Sequence, residues 1–248
     1  MKPSSPAFSV PQAKDVMEIL EREAANIDCS LTLVQNIMGR PNWRKLGPPE
    51  LENLSLAIHV ANTYLSYLGK NLEDNDICAG INEYQWPGRF QLIVRGPSRL
   101  YLDIAHNEIS IPVALAWFSQ AAREYELVAG RQLRVLIFGS PAGRDATKLM
   151  DLILQFCNDE NFYFDQVILT SYVRRVDGTM TFDPEAARLH ETSWKTTNNS
   201  PVVKTTKSVQ EALDFAQQEG SMQTLIFGSS HLISNVYSRL FPSGFVDQ

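Results

Sequence analysis

Arg89 lies in the run Trp86-Pro87-Gly88-Arg89-Phe90, and Asp103 and His106 form a D-x-x-H step within Tyr101–Asn107. Together they offer a permanent cation, a carboxylate and an imidazole at short sequence separation. A guanidinium suits phosphate, which it can grip through parallel N–H groups. A carboxylate suits ribose hydroxyls or an amine, and donors such as imidazole suit a carboxylate ligand. Two more runs have the right chemistry: Gly139-Ser140-Pro141-Ala142-Gly143-Arg144-Asp145 and Gly228-Ser229-Ser230-His231. Glycine lets the backbone turn sharply and approach a ligand. The N–H groups at a following helix start attract carboxylate or phosphate.

Each residue also has a plainer role. Asp103 could cap the next helix, His106 could be a surface histidine, and Arg89 could pair with any carboxylate. Asp145 at a helix start complements the dipole, whereas Arg144 opposes it and needs a partner, for which an anionic ligand is one candidate. Ser229 and Ser230 both fit an N-cap, with Ser230 the expected one. His59 reads as structural. Ser229 and His231 are two residues apart at a helix start and would point in different directions, which argues against a nucleophilic triad. The chain has no G-x-x-x-x-G-K-[ST], H-E-x-x-H, G-x-S-x-G or G-x-G-x-x-G sequence. The functional reading rests on three ligand-ready strand ends occurring together.

The elements that must position these runs follow from apolar spacing. Helices are expected near 12–25, where Val16, Ile19, Leu20 and Ala24 recur at helical spacing, and after the stretch Gly47-Pro48-Pro49 to about Tyr67, ended by Gly69. A short strand is expected at 30–34. From Gln85 onward the spacing predicts strands at 90–95 and 99–103, joined by a turn at Gly96-Pro97-Ser98. Helix 110–128, strand 133–138, helix 144–158 and strand 166–169 follow. The last units are helix 209–218, strand 224–227 and helix 231–240. Strands alternating with helices argue for a doubly wound parallel sheet with an antiparallel hairpin at its start. Ligands in such sheets sit at the carboxyl ends of the strands, where all three runs fall. The polar stretch from Thr170 to Lys207 reads as partly disordered or as a surface lid that Trp194 could pin, with disorder and some local structure the preferred expectation.

With 248 residues, 44% hydrophobic and 20% charged, the chain can bury a sizeable core. A net charge of −6 disfavours nucleic acid and anionic membrane surfaces. Cys29, Cys78 and Cys157 are scattered and read as reduced, buried thiols. No apolar run approaches the ~18 residues of a membrane span. Asp15, Glu18, Glu21 and Glu23 argue against a transit peptide.

These residues carry a family resemblance. The chain resembles the C-terminal part of folylpolyglutamate synthases, in the Mur-ligase-like group of ATP-dependent amide ligases. Trp86-Pro87-Gly88-Arg89 matches the family's W-P-G-R, and Asp103-Ile104-Ala105-His106-Asn107 resembles its D-G-A-H-N, with Ile104 in place of glycine. Pro6-Ala7-Phe8-Ser9-Val10 is similar to the segment after the central domain's catalytic motifs, and Glu52–Ala57 to the family's N-x-x-L-A helix. Gly143-Arg144-Asp145 resembles an Arg-Asp element at a helix start. Gly228-Ser229-Ser230-His231-Leu232 resembles the terminal G-S-L-x-L-V-G, with Ser234 where glycine is common.

The resemblance implies an α/β fold: a Rossmann-like, mostly parallel sheet flanked by helices, the Mur ligase C-terminal domain, spanning 85–248. Residues 1–80 would be a helical remnant of the central ATPase domain, with Met1-Lys2 an internal or truncated start. It implies ATP-dependent addition of glutamate to the γ-carboxylate of a folate through an acyl phosphate. Arg89 would contact ATP phosphates and act in catalysis with His106; Asp103 would bind the nucleotide and Asn53 would sit near the adenine. His106, Arg144 and Ser229 would hold the incoming glutamate. ATP, L-glutamate and reduced folate are the implied partners, in a monomer of the cytoplasm, with the mitochondrion as a second compartment. No metal ligand is expected in this segment. The family's Mg²⁺ ligands, phosphate loop and modified lysine precede it, so the chain alone is expected to be inactive. A non-catalytic fragment, a dihydrofolate synthase or other Mur-type ligase, and an unrelated small-molecule-binding α/β domain are the alternatives.

Overall fold

A computed structural model describes residues 1–36, 48–140, 145–174, 179–197, 202–217 and 222–242. The chain divides into two units, Met1–Gln85 and Trp86–Gln248.

In the first unit, β1 (Ala7–Ser9), α1 (Lys14–Asn26) and β2 (Leu31–Leu33) form a β–α–β turn of chain. The two strands pair in parallel, with Phe8 opposite Thr32. Two helices follow, α2 (Pro48–Tyr67) and α3 (Asp74–Glu83). Gly69 ends α2 with φ of +66°, a conformation that glycine adopts without a Cβ clash. His59 lies edge-on to Phe8, with ring centroids 5.1 Å apart, in keeping with a structural role. Neither β1 nor α3 was expected. Ala-Phe-Ser is too short to display alternation, and α3 carries three acidic residues and Gly80 in ten positions.

The second unit holds β3 (Gln91–Arg95), β4 (Ser98–Leu102), α4 (Ser110–Ala129), β5 (Leu133–Phe138), α5 (Ala146–Asp159) and β6 (Gln166–Leu169). It continues with β7 (Tyr172–Arg174), β8 (Met180–Phe182), α6 (Pro184–Thr197), β9 (Val202–Thr205), α7 (Val209–Gln217), β10 (Met222–Phe227) and α8 (Ser230–Leu240). Six strands form one sheet in the order β3-β4-β10-β5-β6-β9. Only β3 runs antiparallel to its neighbour; the other pairs are parallel.

Both faces of this sheet are covered, and each central strand feeds two apolar clusters by alternation. In β5, Leu136 and Phe138 face one cluster with Phe118 of α4, Ile153 of α5 and Trp194 of α6. Val135 and Ile137 face the other, with Leu213 of α7 and Leu232 and Val236 of α8. The continuous apolar runs of β5, β6 and β10 are therefore fully buried strands.

The stretch from Thr170 to Lys207 departs from expectation. It contains the β7–β8 hairpin, helix α6 and strand β9, which extends the main sheet beside β6. Helix α6 has an inward stripe of Ala187, His190 and Trp194, all buried. Those positions have helical spacing but lack the large aliphatics that mark such a stripe in sequence. Trp194 does pin the segment, at 2% exposure.

Candidate functional site

Because the central strands are parallel, the carboxyl ends of β4, β10, β5, β6 and β9 open onto one edge. The antiparallel β3 brings Arg89 to that edge too, since Gln91 pairs with Leu102, the last residue of β4. Arg89, Asp103, His106 and Ser229 are thus gathered at one end of one sheet. Asn53 is exposed on α2 in the first unit. Arg144 lies outside the described residues, as do 141–143.

Asp103 sits directly after β4, and its own N–H donates to Ile226 O of β10 at 3.1 Å. Its side chain is buried. Oδ1 accepts from Ala105 N–H at 2.7 Å, and Oδ2 accepts from Phe90 N–H at 3.0 Å. Burial pushes the carboxyl above its usual range. The two N–H groups and the charges of Arg89 and His106 pull the other way. Asp103 does not cap α4. That task falls to Asn107, whose Oδ1 accepts from the N–H groups of Ile109 and Ser110 at 3.1 and 2.9 Å.

Arg89 is exposed, with its guanidinium carbon 5.4 Å from the centre of the Trp86 ring. Its N–H donates to Trp86 O at 3.1 Å, closing the turn. The turn needs unusual backbone: φ is +75° at Gly88 and +44° at Phe90. His106 Nδ1 lies 2.8 Å from Ile104 O, which makes that nitrogen the donor and sets the tautomer of the neutral ring.

The other two loops meet at the backbone. Gly228 has φ of +127°, and a Cβ there would lie 2.6 Å from Gly139 O. Gly139 N–H donates to Phe227 O at 3.2 Å. Ser229, not Ser230, caps α8, with Oγ accepting from Leu232 N–H at 3.1 Å. Asp145 caps α5 through Lys148 N–H at 3.0 Å. Lys148 also pairs with Glu108 across 2.6 Å, tying the loop after β4 to α5. The edge therefore presents an exposed cation, a buried carboxylate, an imidazole and three capped helix starts. Such an edge can bind anionic groups at more than one point.

Sequence reasoning missed Gln91 and Tyr237. Gly88 N–H donates to Gln91 Oε1 at 2.9 Å, and the Tyr237 hydroxyl donates to the same oxygen. Both sit at ordinary strand and helix positions, so nothing in their spacing singles them out.

A mostly parallel α/β unit with its polar loops on one edge belongs to the doubly wound class, in which ligands sit at such an edge. No protein-family model matches the chain. The mitochondrial folylpolyglutamate synthase of Bos taurus is 28% identical over 232 residues, 78% of this chain and 39% of that protein. A Saccharomyces cerevisiae folylpolyglutamate synthase is 25% identical over 265 residues, covering 95% of this chain and 47% of the relative. The Mycobacterium tuberculosis folylpolyglutamate synthase, solved with ADP and AMPPCP, superposes with a TM-score of 0.61 at 18% identity, over 97% of this chain and 56% of that one. The chain is a homologue of the folylpolyglutamate synthases. It spans less than half the length of the two curated relatives.

Proposed function

We propose that this chain forms the glutamate-ligating part of a folylpolyglutamate synthase, an ATP-dependent acid–amino-acid ligase of one-carbon folate metabolism. In this reading the γ-carboxylate of a reduced folate is activated as an acyl phosphate and then attacked by the amine of L-glutamate. The observation that carries it is the convergence of Arg89, Asp103, His106 and Ser229 at one sheet edge in a chain with these relatives.

The residues divide by chemistry. Arg89, exposed and permanently charged, meets ATP phosphates and stabilises charge that develops during transfer. The lone pairs of Asp103 beyond its two N–H bonds serve a ribose hydroxyl of the nucleotide. His106, Ser229 and Arg144 hold the carboxylates of glutamate, with the α8 start adding its N–H groups. Asn53 serves the adenine. Residues 1–80 belong to the ATPase domain and 85–248 to the ligase domain, in a monomer of the cytoplasm or mitochondrion. Among the described residues no group of three or more His, Cys, Asp or Glu could hold a metal ion. No described helix is long and apolar enough to cross a membrane.

The chain carries no G-x-x-x-x-G-K-[ST] phosphate loop, so it is expected to be inactive alone. The test is folate- and glutamate-dependent ADP formation, with and without a supplied ATPase domain from the family. Activity should appear only with the supplement and fall about 10²–10³-fold in kcat for Arg89→Ala. Glutamate addition by the chain alone, or an unimpaired Arg89→Ala protein, would overturn the reading.

A further inference from the structure

The turn that carries Arg89 is clamped on both sides. On one side Phe90 N–H is held by Asp103 Oδ2 at 3.0 Å. On the other side Gly88 N–H is held by Gln91 Oε1, which the Tyr237 hydroxyl of α8 also engages. Helix α8 lies directly against the turn, since a Cβ on Gly88 would come 2.5 Å from Ile233 Cγ2. The same helix begins at the cap Ser229. Eight residues, about two helical turns, separate Ser229 from Tyr237.

We propose that Gln91 and Tyr237 are positioning residues for Arg89, and that through them α8 ties the Ser229 helix start to the Arg89 turn as one rigid piece. The proposal rests on the ligase reading only for what Arg89 and Ser229 would hold. The physical case is independent of it. An exposed arginine is useful to a developing charge only when its backbone is fixed beforehand. Arg89 is exposed and its guanidinium lies against a Trp86 ring that is itself exposed, so the N–H bonds of its neighbours add the restraint its backbone needs. A glutamine in the first position of a sheet-edge strand has no need to face inward, yet this one takes two donors on one oxygen. Burial pushes the Tyr237 phenol up to about 12, so it remains a donor across the neutral range. Coupling both points to one helix fixes the distance between the two halves of the edge.

The test uses Tyr237→Phe, Gln91→Leu and Gln91→Glu in the full chain. Amide hydrogen exchange is followed by NMR at Gly88 and Arg89, with Leu136 and Ile226 as sheet references. In Tyr237→Phe and Gln91→Leu, exchange at Gly88 should rise about tenfold, the equivalent of one lost hydrogen bond, with the references unchanged. Gln91→Glu should keep the protection, because a carboxylate accepts from both donors. Unchanged exchange at Gly88, or an equal rise at the references, would overturn the proposal. A second measurement is ADP formation with the supplied ATPase domain. Tyr237→Phe should raise KM for ATP about tenfold or lower kcat by as much, with rescue in Gln91→Glu but not in Gln91→Leu. If the wild-type pair is inactive, the ligase reading falls while the exchange result still decides the positioning role.

Discussion

Asp103 and His190 are both buried and titratable, and the surroundings treat them differently. Asp103 has two backbone N–H donors on its oxygens, so its burial is compensated by bonds that also shape the Arg89 turn. Among the described residues His190 has one hydrogen-bond partner, Ser171 Oγ, 3.1 Å from Nδ1, and none at Nε2. Burial depresses its imidazole from 6.5 to about 4, with Asp183 opposing weakly. The sign follows. Between those two values the unfolded chain binds a proton that the folded chain refuses, so stability is full above about pH 6.5 and declines as pH falls toward 4. The loss should approach about 3 kcal/mol. Urea midpoints measured from about pH 7 to about pH 4 would show it, and His190→Gln should flatten the decline. Parallel pH profiles for the two proteins would rule it out.

At the level of elements, the edge is built where strands approach too closely for side chains. Gly228→Ala would set a Cβ 2.6 Å from Gly139 O, at a φ that L-residues rarely adopt. The neighbour is backbone and cannot rotate away, so the loss should be about 3 kcal/mol or more. Gly96→Ala, also at positive φ but with nothing within 4 Å, should lose about 1 kcal/mol. Thermal unfolding of the pair separates close approach from simple strain, and equal losses would refute the distinction. Such approaches mark what was legible in the sequence. The apolar runs of β5 and β6 and the turn at Gly96-Pro97 were read directly, because burial on both faces leaves a continuous aliphatic signal. The three polar runs were legible as strand ends, and the parallel order put them together. Helix α6 was not legible, because its stripe is alanine, histidine and tryptophan. The choice of Ser229 over Ser230 as cap and the Gln91–Tyr237 link depend on three-dimensional reach, which spacing along the chain does not encode.

At the level of the whole molecule, the two units are unequal. The second has a six-stranded sheet with apolar clusters on both faces. The first has a two-stranded parallel sheet of three-residue strands. Parallel sheets persist when both faces are covered, and isolated strand pairs are marginal in water. Residues 86–248 expressed alone should therefore melt in a single cooperative transition by circular dichroism, and residues 1–85 alone should not. A non-cooperative 86–248 fragment would contradict this. The sheet order has a consequence for biosynthesis. Strand β10 lies in the centre of the sheet, between β4 and β5, yet it is the last of the described strands to be translated. Until the ribosome has delivered residues 222–227, the nascent chain holds two half-sheets whose facing edges are bare and apolar, a target for chaperones and for aggregation. A premature stop codon before Met222 would remove the keystone strand and leave a polypeptide with most of the unit's residues and no continuous sheet.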